Sequence, residues 1–526
     1  MKKIFTLAIT LLNILTCVAS GPKYDAVYHL ISKSYTLNAD GSTDYHYRKE
    51  LKLNTIASFD LYGETFICYN PEFQKLVINE AYTIRKDGSK VNTPSNAFNP
   101  SLPPSCTDCE RFNQIREMVV THTALEIGAT IVLDYTIHSQ NVMIQDFNEK
   151  IELYENEPIE QYIVQVQMPA DHSFYSELTN IEKNITTSNT INSDGTRTYY
   201  WSFNNLAQNL YEAYLPNDYL PTLSFIDKNN KYNYLTTIAK QHSLATKCPN
   251  IFGETLAEIL KDTQTTEDSV MAIRDYIAQN IHTNNVDAQL MNHIFASAQT
   301  VWSTNCGSSI EKDILFRAML NAVNLPCSFG FINNEVCLHP QSAVRVKIGQ
   351  KIKLLSTAQP NEIKADFITL KGVLLPAEII PAEESKTYSI NVAELTGSDN
   401  EMATLERLGH QINALRLETV SHCPMHASAI SLHRTSPVQV NPIKEVYTYH
   451  IALPSQCEWI TKPYVISKDY SFGTLNIAVS INGNLMTITR ELSFSDTILE
   501  RKSQIRQLRE MLGEWDAHRE YIYQQN

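Results

Sequence analysis

Thr300-Val-Trp-Ser-Thr-Asn-Cys-Gly-Ser-Ser-Ile-Glu-Lys-Asp-Ile-Leu-Phe-Arg-Ala-Met-Leu-Asn-Ala-Val-Asn-Leu-Pro326 reads as a tight loop that delivers a small side chain onto the start of a buried helix. Ser308 is a natural N-cap and Glu311, three residues on, completes a capping box, which predicts a helix from about Ser309. Ile310, Ile314, Leu315, Ala318, Met319 and Ala322 recur at three and four, the spacing of a core-facing stripe. Residue 309 then sits at the positive end of a helix dipole, where a thiol would be partly ionised and nucleophilic. The residue is serine.

Working outward, a 526-residue chain exceeds a single core, and at roughly 150 residues per domain three domains are expected. Lys and Arg number 43 against 57 Asp and Glu, a net charge of −14, with no basic cluster beyond the first residues. That balance argues against nucleic acid as a partner, because phosphate binding needs concentrated positive charge. Lys2 and Lys3, the apolar run Ile4 to Val18, and the small residues Ala19, Ser20 and Gly21 form the pattern of a secretory signal peptide over 1–20. The expectation is an exported protein, periplasmic or at the cell surface, with no transmembrane segment in the mature chain. Lipidation at Cys17 is the weaker alternative, since Thr16 stands where a lipidation box carries Gly, Ala or Ser.

Nine of the ten cysteines remain after processing, too few and too scattered for a disulfide scaffold. Cys106-Thr-Asp-Cys109 reads as a loop disulfide or two free thiols. In His422-Cys-Pro-Met-His426 the proline prevents a single helical face that would aim both rings at one ion, so a structural loop is expected. No metal and no cofactor is called for.

From Tyr24 to about Tyr219 the pattern is β-rich, with Asp40-Gly41, Asp87-Gly88 and Asp194-Gly195 as hairpin turns and alternating runs at Tyr28–Leu37, Thr43–Leu53, Thr130–Ile137 and Tyr162–Met168. An antiparallel β-sandwich over 21–225 is the economical reading, its tyrosines pairing across strands. Over 226–380, helices at Phe252–Lys261 and Thr266–Ile281, the latter capped by Thr265 and Asp268, lead into the opening stretch. Strands at Cys327–Ile332 and Ser342–Ile348 follow, which makes the region α+β. Over 381–526, strands at Glu445–Leu453, Leu475–Ile481 and Leu485–Leu492 surround an Asn482-Gly483 hairpin. A last amphipathic helix, Asp496 to about Tyr521, is expected to close a small β domain through Ile498, Ile505, Leu508, Leu512 and Trp515.

These three regions together resemble a family of exported Gram-negative proteins in which a β-sandwich domain of unknown function precedes a transglutaminase-like domain and a small C-terminal β domain. The resemblance rests on Arg116-Glu-Met-Val-Val-Thr-His-Thr-Ala-Leu-Glu-Ile-Gly128, on the loop-to-helix stretch and on the closing hairpin. It implies a papain-like arrangement in the centre: a Cys at the helix N-terminus, a His at the start of the following strand and an Asp on the next. The thiolate attacks an amide carbonyl, the His carries the proton and the Asp fixes the His tautomer.

Aligned on Gly307 and Glu311-Lys312, this chain has Ser309 at the Cys position, Gln341 at the His position and Ser356, after Leu354-Leu355, at the Asp position. A serine hydroxyl needs a base in contact, and Gln341 cannot accept a proton; losing triad members costs several powers of ten in rate. The sequence therefore reads as a transglutaminase-like scaffold that does not catalyse, a pseudoenzyme binding an envelope protein, peptide or glycan. The alternative is an active cysteine peptidase or amide-transferring enzyme using Cys306, three residues before Ser309, with His339, two before Gln341. That pairing requires the loop to slide, and the capping box leaves Cys306 off the helix end.

Overall fold

The computed structural model describes residues 23–525 except 145, 146, 182, 210, 211, 217, 218, 227–229, 245–250, 333–339, 350, 360, 361, 364, 377–381, 396–402, 419, 420 and 422. The expected signal peptide with Cys17, and His339 and His422, lie outside the described residues. Two compact units result: one runs to Asn209 and resumes over Leu220–Glu378, the other joins Leu210–Tyr219 to Ile379–Asn526. The segments expected as sandwich and transglutaminase-like domain thus share one unit. Among the described residues no helix is long and apolar enough to cross a membrane.

The first unit opens with an eight-stranded sheet in the order Ile185–Ile191, Thr196–Leu206, Ile159–Pro169, Ala26–Leu37, Thr43–Leu53, Thr130–Ser139, Gln74–Ile84 and Lys90–Asn92. Its hairpins sit where the Asp-Gly pairs predict. Gly41, Gly88 and Gly195 have φ of 84°, 85° and 81°, and each preceding Asp accepts the N–H two residues on, from Ser42, Ser89 and Thr196. Tyr35 stands opposite Tyr45, and Tyr47 opposite Tyr135, with ring centroids 5.1 and 5.2 Å apart. Such pairs add about 0.5–1.5 kcal/mol beyond area burial.

The expectation of a purely antiparallel sandwich needs correcting. Ala26–Leu37 pairs with Ile159–Pro169 in parallel, a junction between distant segments that no turn dipeptide announces. Two three-stranded sheets complete the layer architecture. Tyr175–Thr179, Thr222–Ile226 and Glu149–Glu152 share a core with the large sheet through Ile151, Leu223 and Phe225 against Ile31, Leu51, Tyr162 and Phe203. Glu64–Tyr69, Arg116–Thr121 and Phe98–Ser101 do so through Ile67 and Val120 against Leu133 and Ile137.

The rest of the unit is a helical group on a five-stranded antiparallel sheet. After a helix over Asn230–Ala239 come α1 (Gly253–Leu260), α2 (Thr266–Asn280), α3 (Ala298–Thr304) and α4 (Ser309–Ala322). The strands run in the order Lys351–Leu355, Ser342–Ile348, Cys327–Ile332, Phe367–Thr369, Leu374–Leu375. The caps fall where expected: Thr265 and Asp268 close one capping box, Ser308 and Glu311 another. The apolar stripe of α4 understates its burial. Every residue from Ile310 to Leu320 is buried, Glu311, Lys312, Asp313 and Arg317 included, so the helix is a core element with charges that must be satisfied internally.

A segment of the N-terminal region enters this core. Cys106, Cys109, Phe112 and Ile115 pack with Val270, Ile273, Val301, Cys306 and Ile314, and Asn284 Nδ2 donates to the carbonyls of Ser105 and Thr107 at 3.0 and 2.9 Å. Cys109 is bonded to Cys306, 197 residues away, while Cys106 is a buried free thiol. This overturns the reading of Cys106-Thr-Asp-Cys109 as a self-contained pair. A short spacing advertises a local bond, whereas the bond that forms depends on a tertiary approach that spacing does not encode.

The second unit holds a five-stranded sheet, ordered Ala382–Asn391, Ile443–Ala452, Leu485–Phe494, Gly473–Asn482, Tyr464–Tyr470, with the Asn482-Gly483 turn in place at a Gly483 φ of 58°. The last helix is shorter than expected, Lys502–Ala517, burying Ile505, Leu508, Met511, Leu512 and Trp515. The domain does not end in it. Ile498 lies in a short strand and is exposed, and Glu520–Gln525 is a strand paired with Ile412–Leu417 and Cys457–Trp459. Tyr521 and Tyr523 bury alternate positions, a period of two that competes with the helical stripe and prevails once the helix ends at His518.

Candidate functional site

The start of α4 is fixed from several directions. Ser308 N donates to Glu311 Oε2 at 2.9 Å, Glu311 N donates to Ser308 Oγ at 3.4 Å, and Ala296 N donates to Glu311 Oε1 at 2.7 Å. Arg111, from the inserted segment, forms an ion pair with the same carboxylate. A side chain at Gly307 would come within 3.3 Å of Glu311 Cβ and Val301 Cγ1, so glycine lets the strand Cys306–Gly307 approach the helix. Lys312 is 1% exposed and donates to the carbonyls of Ala278 and Ile281 at 3.3 and 2.8 Å and to Thr283 Oγ1 at 2.7 Å. Burial lowers its pKa, while the Asp313 charge works the other way.

One turn further, Asp313 is fully buried and ties the helix to the sheet. Its Oδ2 accepts from Ser342 Oγ at 2.7 Å and Ser356 Oγ at 2.8 Å, and its Oδ1 from Thr357 N at 2.7 Å and Thr357 Oγ1 at 2.9 Å. Burial pushes the carboxyl up to about 6, against the pull of those four hydrogen bonds.

Above this network lies a cleft of about 540 Å³ at the helix start. Ser309, Gln341 and Ser356 all line it, with Asn284, Asp287, Ile332, Ser342 and Gln359 among their neighbours. The fold therefore gathers in one place the three positions that the resemblance pairs with a Cys-His-Asp triad. The described lining holds one charged residue, Asp287, and neither Cys nor His. Ser309 has no hydrogen-bonding base among the described residues, and the Asp313 carboxylate is saturated from behind by Ser342, Ser356 and Thr357.

Cys306 stands apart from the cleft lining. It is 2% exposed, pairs through the strand Cys306–Gly307 with His282–Thr283, and its sulfur is bonded to Cys109. The idea of Cys306 as a free nucleophile is thereby corrected: a disulfide sulfur has no thiolate to offer. His293 packs edge-on against Tyr234, with ring centroids 5.4 Å apart, and burial lowers its pKa to about 4.

Three residues that matter here escaped the sequence reading: Asp313, Asn284 and Asp287. Asp313 had a visible signal, since Glu311-Lys312-Asp313 places three charges in succession inside a helix that is largely apolar beyond them. Asn284 had none. Both hydrogens of its amide nitrogen are taken by backbone carbonyls, which settles the amide orientation, and its buried Oδ1 has no partner among the described residues.

Residues 39–209 match a domain of unknown function, DUF3857, and residues 410–521 match another, DUF3858. No curated protein matches the chain. A crystal structure from Parabacteroides distasonis, titled a "putative protease", is 23% identical, covers 95% of this chain and 99% of its own, and superposes with a TM-score of 0.76. One from Cytophaga hutchinsonii, titled a "putative cysteine protease", is 10% identical over 40% of this chain and 74% of its own, with a TM-score of 0.20. The Parabacteroides likeness is one of fold, across nearly the whole of both chains.

Proposed function

We propose that this chain is an exported, transglutaminase-like protein whose cleft binds an extended polypeptide of the cell envelope without cleaving it. The observation that carries the reading is the cleft at the start of α4, which gathers Ser309, Gln341 and Ser356 and has neither Cys nor His in its described lining. The capping box takes the N–H groups of Ser308 and Glu311, which leaves those of Ser309 and Ile310, in the cleft lining, for a ligand carbonyl. Such donors suit the carbonyls of an extended peptide backbone. A polypeptide in such a cleft also agrees with the name of the Parabacteroides distasonis structure, a "putative protease". The Cys306 peptidase reading needs a free thiol, and the bond to Cys109 removes it.

The test places a reporter on the exposed lining residue, Gln359→Cys, in a Cys68→Ser background, and measures its alkylation in the presence of a library of unstructured decapeptides. Binding slows alkylation, the peptides are recovered intact, and Ser309→Trp, which fills the cleft, abolishes the protection. If no peptide protects while a glycan does, the ligand class is wrong. If wild-type protein cleaves the peptides, the non-catalytic reading is wrong.

A further inference from the structure

Three cysteines of the first unit lie in one hydrophobic core: Cys106 at 1% exposure, Cys109 at 4% and Cys306 at 2%. Two share a disulfide and the third is a thiol. Cys106 ends the 3-10 turn Pro104–Cys106 and Cys109 precedes the 3-10 turn Glu110–Phe112. Between them Asp108 adopts a left-handed φ of 61°, which bends the chain back within a segment that could extend at most about 11 Å. We propose that Cys106, Cys109 and Cys306 form a thiol–disulfide exchange site, in which the bond Cys109–Cys306 is traded for Cys106–Cys109 and Cys306 is released as a thiol.

The step balances without an outside oxidant or reductant. Cys106 loses its proton, its thiolate attacks Sγ of Cys109, the Cys109–Cys306 bond breaks with its electron pair going to Cys306, and Cys306 takes up a proton. One disulfide and one thiol exist before and after. What changes is connectivity: a bond across 197 residues becomes one across three, the inserted segment loses its covalent hold on the start of α4, and a thiol appears three residues before Ser309.

The fold sets the direction at rest. Burial pushes the Cys106 thiol up, so little thiolate is present at neutral pH, and packing keeps the long-range partners together. Loosening of the inserted segment, whose ties include Arg111 to Glu311 and Asn284 to Ser105 and Thr107, exposes Cys106 and favours the short ring. Cys68, an exposed thiol, must be removed to keep exchange within the chain.

The experiment uses the full-length oxidised Cys68→Ser protein with the inserted segment loosened by Arg111→Ala, which removes its tie to Glu311, held at pH 7, 8 and 9 without reductant, acid-quenched, alkylated and mapped by mass spectrometry without reduction. A linked Cys106–Cys109 peptide and alkylated Cys306 appear in equal amounts, at a rate rising about tenfold per pH unit with the thiolate fraction. Cys106→Ser, checked for an unchanged circular dichroism spectrum, yields neither. Persistence of Cys109–Cys306 at pH 9 without the new link overturns the proposal, as does release of Cys306 in Cys106→Ser at the same rate.

Discussion

Ser356, at the position where the resemblance places a catalytic acid, donates its hydroxyl to Asp313 across 2.8 Å. The carboxylate at this point of the fold thus comes from α4 rather than from the strand. It is enclosed by Ser342, Ser356 and Thr357 and holds helix and sheet together. Two consequences of this exchange can be measured.

Asp313 should give the protein an acid-side gain in stability. Burial raises its folded pKa from 3.8 to about 6. For a raised pKa the stabilisation is fully present below the unfolded value and is lost as pH rises through the folded one. Between pH 4 and 7 this single group contributes on the order of 3 kcal/mol at most. Asp313→Asn keeps an acceptor for Thr357 N, while the Ser342 and Ser356 hydroxyls can turn to accept its amide. Urea midpoints of wild type and variant are therefore expected to diverge as pH falls from 7 to 4.5. Parallel curves would show that Asp313 does not titrate there.

Restoring an acid at residue 356 should fail while Asp313 remains. Ser356→Asp sets two carboxylates against each other in a buried site, costing about 3–5 kcal/mol. Adding Asp313→Ser returns one carboxylate and one hydroxyl with exchanged positions. The double variant should regain most of the loss, and a double-mutant cycle on denaturation free energies reads the coupling. Additive losses would mean that the two side chains do not interact.

How much of this was legible depends on range. The start of α4 could be read from Ser308 and Glu311 because a capping box closes within four residues, and the Asp-Gly turns are equally local. The cleft positions 309, 341 and 356 came from a resemblance whose spacing survived the change of residues. The parallel pairing of Ala26–Leu37 with Ile159–Pro169, the Cys109–Cys306 bond and the donors around Asp313 each join distant parts of the chain. No single-sequence pattern encodes such partners. The closing strand Glu520–Gln525 was missed for another reason: its apolar residues also fit the helical stripe that precedes them.

Lys312 should prove structural. Its ammonium serves two carbonyls at the end of α2 and the Thr283 hydroxyl, and Lys312→Met fills the space while leaving those acceptors without their donor. A loss of roughly 2–4 kcal/mol is expected, with peptide protection of the cleft unchanged at temperatures where the variant is folded. A loss below about 1 kcal/mol would mean that other groups or water satisfy the carbonyls.

Replacing the disulfide should act mainly through the unfolded chain. A cross-link over 197 residues removes loop-closure entropy equivalent to about 5 kcal/mol in the chain-entropy description. Cys109→Ser with Cys306→Ser leaves the packing of Phe112, Ile115 and Val301 in place, so the folded state loses few contacts. The refolding rate of the first unit should then fall by at least about a hundredfold, because the open chain must close that loop before the core assembles. Its unfolding rate should change by less than about threefold. Stopped-flow chevrons on oxidised wild type and the double variant separate the two limbs. An effect confined to the unfolding limb would locate the contribution of the bond in native contacts, and the inserted segment would then be held to α4 by its sulfur atoms more than by the core around them.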